Sequence, residues 1–434
     1  MGGTLSASAG SSRRRRRALL LAGLSIGLAP VFPIMGSGAA GATVASGGIG
    51  KINHVVVLMQ ENHSYDSYLG ALHNEGQPAS EAEPPTPNPN PLGGRPIAPF
   101  LTTTPCTVAD LNHGWDATHQ VIAAGMQGFT TINEDPSDAT GSRTMGYYDQ
   151  STLPFYYSMA NEFSVADRYF ASVPGPTFPN RFYLLTGTSF GYTSNVISTY
   201  SQKTIFQALD EAPKPVSWKI YLASFQVELL FNYVNNHAAG HVFPLSQYYA
   251  DAAHGNLPQV SFVESDPFGT VNTETDEHPP ANVQAGEKFT HDVVYALTHS
   301  PDWSSAAMFL TYDEHGGYYD HVVPPAAVPP DNIPPMVPAG DKFNKFNQYG
   351  VRVPAMVISP YSSPHHVSHV VYDHTSILKF IETRFSIPPL TRRDAAADPM
   401  LDMFNFNQPA LLNPTLARAP ISPAGASTCK ALHP

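Results

Sequence analysis

"AAMFLTYDEHGG", residues 306–317, opens as a run of mostly apolar and aromatic positions and passes straight into two adjacent carboxylates, a histidine and a glycine pair. A short continuous run without a polar residue at every second position is the pattern of a strand buried on both faces. Side-by-side carboxylates repel, and burial strengthens the repulsion unless a cation lies between them. Asp313 and Glu314 at the end of such a strand therefore point to a bound metal. The same plan recurs along the chain: "INHVVVLM" (52–59) leads into "QENHSYD", "QVSFVE" (259–264) leads towards "TDEHPP", and "VRVPAMVIS" (351–359) leads into "PYSSPHH". With helical stretches such as "SILKFIETRF" (376–385) as covering layers, these runs predict an α/β sandwich. Ligands of such sheets bind in the crevice at the carboxyl ends of the strands, where the polar clusters fall.

The 434 residues are 42% hydrophobic and 11% aromatic, enough for a sizeable core, but only 13% charged, with 42 prolines. Two proline-rich stretches, 76–99 and 324–350, are too long for ordinary connections and read as walls of the crevice rather than linkers. No internal repeat interrupts the plan, which predicts one domain from about 52 to 420, a linker over 43–51 and a C-terminal tail over 421–434.

The N-terminus has a different character. "SSRRRRRALLLAGLSIGLAPVFPIMGSGAAGATVA" combines a basic start, an apolar stretch diluted by glycine and proline, and a small-residue exit. This is the layout of an export signal, and Arg16-Arg17 before "ALL" suits a twin-arginine address. Removal after Ala40-Gly41-Ala42 predicts a secreted, periplasmic or cell-envelope protein without a transmembrane anchor. Loss of arginines 13–17 moves the formal net charge from −12 to −17, which argues against a nucleic-acid partner. Oligomeric state is open. Cys106 and Cys429 are either one disulfide in an oxidising compartment or two free thiols.

Glu61 and Asn62 end the first apolar run as Asp313 and Glu314 end the other, making a candidate cage of four oxygen ligands. Oxygen donors without cysteine suit calcium, magnesium or manganese better than zinc. In "SVPGPTFPNRFYLLTGTS" (172–189) a Gly/Pro-stiffened turn brings Thr177 to a helix predicted to open near Pro179. A hydroxyl there is either a cap or an activated nucleophile, since free backbone N–H groups favour its alkoxide and bind phosphate.

Taken in order, "VVVLMQENHSYDSYLG", "DLNHGW", "GPTFPNRFYLLTGTS", "EHPP", "YDEHGGYYDHVVPP" and "VRVPAMVISPY" resemble the phosphoesterase family of bacterial phosphatidylcholine-type phospholipases C, plant non-specific phospholipases C and related acid phosphatases. The resemblance runs from about 52 to 385 and implies an alkaline-phosphatase-like three-layer α/β/α sandwich in a single large catalytic domain. It implies an exported, metal-dependent phosphoric-ester hydrolase, with one divalent ion on Glu61, Asn62, Asp313, Glu314 and Thr177. Thr177 would be the nucleophile, passing through a phosphothreonine, and His113 and His278 would contact the transferred phosphoryl group. Asn180, Arg181 and His321 are further candidates on the substrate side, the first two also as supports of the nucleophile's turn. His119, His315 and His321 are weaker histidine candidates. The substrate implied is a phosphate ester, either a phospholipid or a monoester. Two departures stand out: the further histidine pair of the acid phosphatases has only His237 and His241 as counterparts, and the C-terminal β-domains of the bacterial phospholipases C have no room after the matched segment.

Overall fold

The run His54–Gln60 is an inner strand of an eight-stranded sheet in the computed structural model of the chain, which describes residues 48–338 and 342–433. The expected export signal (1–42) and residues 43–47 of the linker lie outside the described residues. Numbered along the chain, the strands are β1 (His54–Gln60), β2 (Ser164–Ala166), β3 (Trp218–Leu222), β4 (Val242–Pro244), β5 (Val260–Glu264), β6 (Ala306–Tyr312), β7 (Ala355–Ile358) and β8 (Val367–Ser368). Their spatial order is β8-β2-β7-β6-β1-β5-β3-β4. All neighbours pair in parallel except β7, which runs against both β6 and β2.

Every residue of β5, β6 and β7, and all of β1 after His54, is buried. Side chains alternate between the two faces of a strand, so burial at every position means that both faces are covered. The helices that matter for the site are α1 (Trp115–Ala123), α2 (Thr177–Thr186), α3 (Val283–Thr298), α4 (His374–Phe385) and α5 (Pro423–Leu432). Helix α2 packs on α4, and α3 packs with the helices Leu245–His254 and Pro154–Glu162. The α/β class expected from the strand runs is the class observed.

Register places the chemistry. β1 pairs with β6 from His54↔Ala306 to Gln60↔Tyr312 and with β5 from Val55↔Val260 to Leu58↔Val263. Glu61 and Asp313 are thus the first residues beyond two adjacent strand ends, with Glu264 closing the next strand. Two glycines make room for the loop after β6: Gly316 and Gly317 have φ of 60° and 77°, and a Cβ on Gly316 would stand 2.1 Å from the Asn62 carbonyl oxygen.

Helix α2 opens at Thr177 rather than near Pro179, because a proline in the first turn loses only an N–H that has no partner within the helix. Residues 423–432, expected as tail, form α5, and a Cys106–Cys429 disulfide ties it to the body. Among the described residues no helix is long and apolar enough to cross a membrane.

Candidate active site

Asp313 begins the loop after β6 with its N–H on the Gln60 carbonyl at 3.0 Å. One of its oxygens, Oδ1, accepts the N–H groups of Asn62 (3.1 Å) and Glu314 (2.7 Å), so the two strand-end loops share a single carboxylate. Glu314 Oε2 accepts the Gly316 N–H at 2.8 Å. The other oxygens, Asp313 Oδ2 and Glu314 Oε1, and both amide atoms of Asn62 are buried without a hydrogen-bond partner. Burial, then repulsion from Glu61, holds the Asp313 carboxyl well above its usual range. Burial also lifts Glu314 to about 7 against the opposing pull of His113.

Arg181 is the counter-charge. Its guanidinium lies 3.1 Å from Glu61, 2.8 Å from Glu264 and 3.5 Å from Asp313. Glu228, buried nearby, is held up by its own burial against the pull of Arg181. One arginine thus faces more carboxylates than it can neutralise, and the buried Asn62 amide oxygen beside them has no hydrogen-bond partner. An all-oxygen donor set with surplus negative charge fits a hard divalent cation. The cage is more open than expected, however. Three acid or histidine ligand atoms converge within 4.8 Å at Asp110–His113–His278 and at Asp66–Asp320–His321, and not at Glu61–Asp313–Glu314, where Arg181 contacts both Glu61 and Asp313.

Thr177 is the first residue of α2 and only 6% exposed. The turn before it is fixed by Asn180, whose amide accepts the Val173 N–H at 3.0 Å and donates to the carbonyls of Val173, Gly175 and Pro176 at 2.9 to 3.3 Å. Residues four apart on a helix share a face, so Thr177 stands one turn from Arg181 on the side that meets Glu61 and Asp313. Both residues bond within the protein, Asn180 to the turn before Thr177 and Arg181 to the strand-end carboxylates.

His113 precedes α1 and places Nδ1 3.2 Å from Glu314 Oε1. Its ring meets His278 edge-on at 5.8 Å between centroids. Burial alone would lower His278, but Glu61, Asp110 and Asp276 outweigh it and lift the imidazole to about 9. Its Nδ1 lies 2.6 Å from the Pro279 carbonyl. His278 is further fixed through its neighbour: Glu277, at a left-handed φ of 73°, is buried among the hydroxyls of Tyr68 (2.6 Å), Tyr312 (2.7 Å) and Tyr156.

The remaining histidines fall elsewhere. His315 is buried beside Glu314 Oε2 at 3.2 Å, and burial lowers it to about 3. His119 stacks on Phe343 and Trp115. His321 belongs to a second charge cluster, with Nδ1 2.7 Å from Asp66 and its chain neighbour Asp320 paired to Arg352, and shares no partner with the Arg181 cluster. His241 stacks on Trp218, the first residue of β3, and His237 on Tyr233. Trp218 opens its strand, so His241 sits by the amino ends of the strands, away from the carboxyl-end crevice. Asp110, Glu264 and Asp276 were not singled out from sequence. Glu264 ends an apolar run as Asp313 follows one, a signal that could have found it.

The chain belongs to the Phosphoesterase family, whose model matches residues 52–388, and it is a phosphate-ester hydrolase. It is similar to non-specific phospholipase C1 of Arabidopsis thaliana, 34% identical over 384 residues that cover 80% of this chain and 70% of that protein. It is also similar to phospholipase C B of Mycobacterium tuberculosis, 32% identical over 436 residues that cover 85% of this chain and 80% of that one. The crystal structure of the phosphonate monoester hydrolase of Agrobacterium radiobacter matches with a TM-score of 0.35 and 9% identity over 78% of this chain and 74% of that one, a likeness that carries no argument.

Proposed function

We propose that this hydrolase cleaves phospholipid-type phosphodiesters through a threonine nucleophile, Thr177, and a covalent phosphothreonine. The observation that carries the reading is the tie from Arg181, one helical turn beyond Thr177, to Glu61 and Asp313. It supports a place for the Thr177 hydroxyl, in the first turn of α2, on the helix side that faces the strand-end carboxylates. The similarity to phospholipases C favours a phosphodiester lipid over a monoester.

Glu61, Asn62, Asp313 and Glu314, with the Thr177 hydroxyl, are the residues that would hold one divalent ion; calcium, magnesium and manganese all suit these oxygens. Such an ion supplies Lewis-acid polarisation of a phosphoryl oxygen and favours the ionised form of a nearby hydroxyl. The positive end of the α2 dipole adds its own preference for negative charge at the same place. Thr177 Oγ1 attacks phosphorus in line with the departing alkoxide. His278, kept protonated by the carboxylates around it up to a pH of about 9, gives its proton to that alkoxide. The imidazole left behind then takes a proton from the water that attacks the phosphothreonine, and the phosphorylated head group leaves. His113, fixed against Glu314, aims a donor at the equatorial phosphoryl oxygens.

The working site of this enzyme is outside the cytoplasm, on the reading of residues 1–42 as a twin-arginine signal. The test of function is a paired assay of purified protein on phosphatidylcholine and on a soluble phosphomonoester, with and without chelator. Release of phosphocholine that chelation abolishes is the expected result. Turnover of the monoester alone would transfer the reading to a phosphatase, and turnover unaffected by chelation would remove the metal.

A further inference from the structure

Large apolar side chains stand exposed on two loops beside the nucleophile: Ile197 is 78% exposed, Ile333 48% and Met336 54%. Isolated exposed apolar residues need no explanation, whereas a group of them around a site marks a contact surface. The two loops are held together. The Met336 N–H donates to the Gly191 carbonyl at 2.7 Å, and Thr193 Oγ1 to the Met336 carbonyl at 3.3 Å. Gly191, at a φ of 96°, lets the loops close, since a Cβ there would stand 3.1 Å from the Pro334 carbonyl oxygen and 3.2 Å from Ile333 Cγ2.

The loops are also tied to the catalytic helix. Asn195 Oδ1 accepts the N–H of Phe178, the residue after Thr177, at 2.8 Å. Asp331 Oδ2 accepts the Thr188 hydroxyl at 2.6 Å just beyond the end of α2. A cavity of about 440 Å³ runs between them, with Gly114 (next to His113), Pro176 (next to Thr177), Thr193 and Met336 in its wall. Further along the same proline-rich stretch Lys342 and Lys345 are exposed, in a chain of net charge −12. Apolar side chains that can enter the acyl boundary, with lysines at the height of the phosphates, are the elements of an interfacial contact. The acidic remainder of the chain disfavours an anionic surface.

We propose that Ile197, Ile333 and Met336, with Lys342 and Lys345 further along the chain, dock the enzyme on a zwitterionic phospholipid surface and set the mouth of the Thr177 crevice against the head groups. The proposal rests on the phospholipid reading of the site. It gives the proline-rich stretch a function: stiff, extended backbone holds apolar side chains outward where a flexible loop would fold them in.

The test is flotation of the full chain with phosphatidylcholine vesicles, for wild type and the double variant Ile197→Ser/Ile333→Ser, with activity measured in parallel on the vesicles and on a soluble phosphocholine diester. Wild type is expected to float. The variant should lose at least about ten-fold in partition and in vesicle turnover, from the apolar area it no longer inserts, with turnover of the soluble diester unchanged. Equal flotation of both proteins, failure of wild type to float, preference for anionic vesicles, or a loss of self-association instead of vesicle binding would each overturn the docking surface. Flotation is read whether or not either ester is cleaved. A protein that floats through these residues but turns over neither ester would sink the catalytic reading and leave the surface standing.

Discussion

Arg181 lies 3.1 Å from Glu61, so a residue of helix α2 is paired with the first residue beyond the sheet's inner strand β1. The same side chain reaches Glu264 and Asp313. Arg181 thus works as a rivet between helix α2 and three adjacent strand ends, and it partly neutralises a cluster that is otherwise all acid.

Arg181→Met should destabilise the protein by about 3–5 kcal/mol, the cost of leaving buried carboxylates without their partner. Calcium or manganese should recover part of that loss by taking over the vacated charge balance. Thermal melts with chelator and with each ion check this; a variant as stable as wild type under chelation would contradict the rivet.

Asp313→Asn keeps the shape of the loop and its bonds to the Asn62 and Glu314 N–H groups while removing one of the repelling charges. The chelated variant should melt at or above wild type, and the rise in melting temperature on adding cation should shrink together with turnover. Identical cation-induced shifts in both proteins would remove Asp313 from the ligand set.

Glu277 makes a pH prediction. Burial raises its carboxyl from 4.5 to about 7 even though three tyrosines donate to it. The folded protein therefore binds this proton more tightly than the unfolded chain does. The contribution is fully present below about 4.5, and roughly 3 kcal/mol is lost as pH rises through 7. Glu277→Gln should flatten that part of the stability curve, as seen in melting temperatures between pH 4.5 and 8. An unchanged slope would show that the carboxyl titrates normally.

Much of this architecture was legible because it follows from local pattern. The unbroken burial of β1 and β6 is written in "VVVLM" and "AAMFLTY", and the strand-end carboxylates follow from where those runs stop. The opening of α2 was misjudged by two residues, since proline is equally at home at several first-turn positions. What could not be read was anything depending on distant pairing. That Arg181 would reach residues 61, 264 and 313 is set by the sheet register and not by neighbours in sequence. His237 and His241 looked comparable with the other histidines until β3 placed Trp218, and His241 with it, at the opposite strand ends.

Export has its own check, on residues outside the described structure. Arg16→Lys together with Arg17→Lys should leave precursor inside the cell, whereas mature protein accumulating outside at the wild-type rate would rule out the twin-arginine route.

The central claim is that Thr177 carries the phosphoryl group. Acid-quenching wild-type enzyme during turnover and weighing the peptide that spans residue 177 tests it most directly, with Thr177→Ala as the paired control. With phosphatidylcholine as substrate the account predicts one phosphocholine group linked through phosphorus to Thr177, none on the Thr177→Ala peptide, and a kcat for that variant below about a tenth of wild type, the least a lost covalent route should cost. A phosphoryl group on another residue, or a Thr177→Ala enzyme that turns over at close to the wild-type rate, would contradict it.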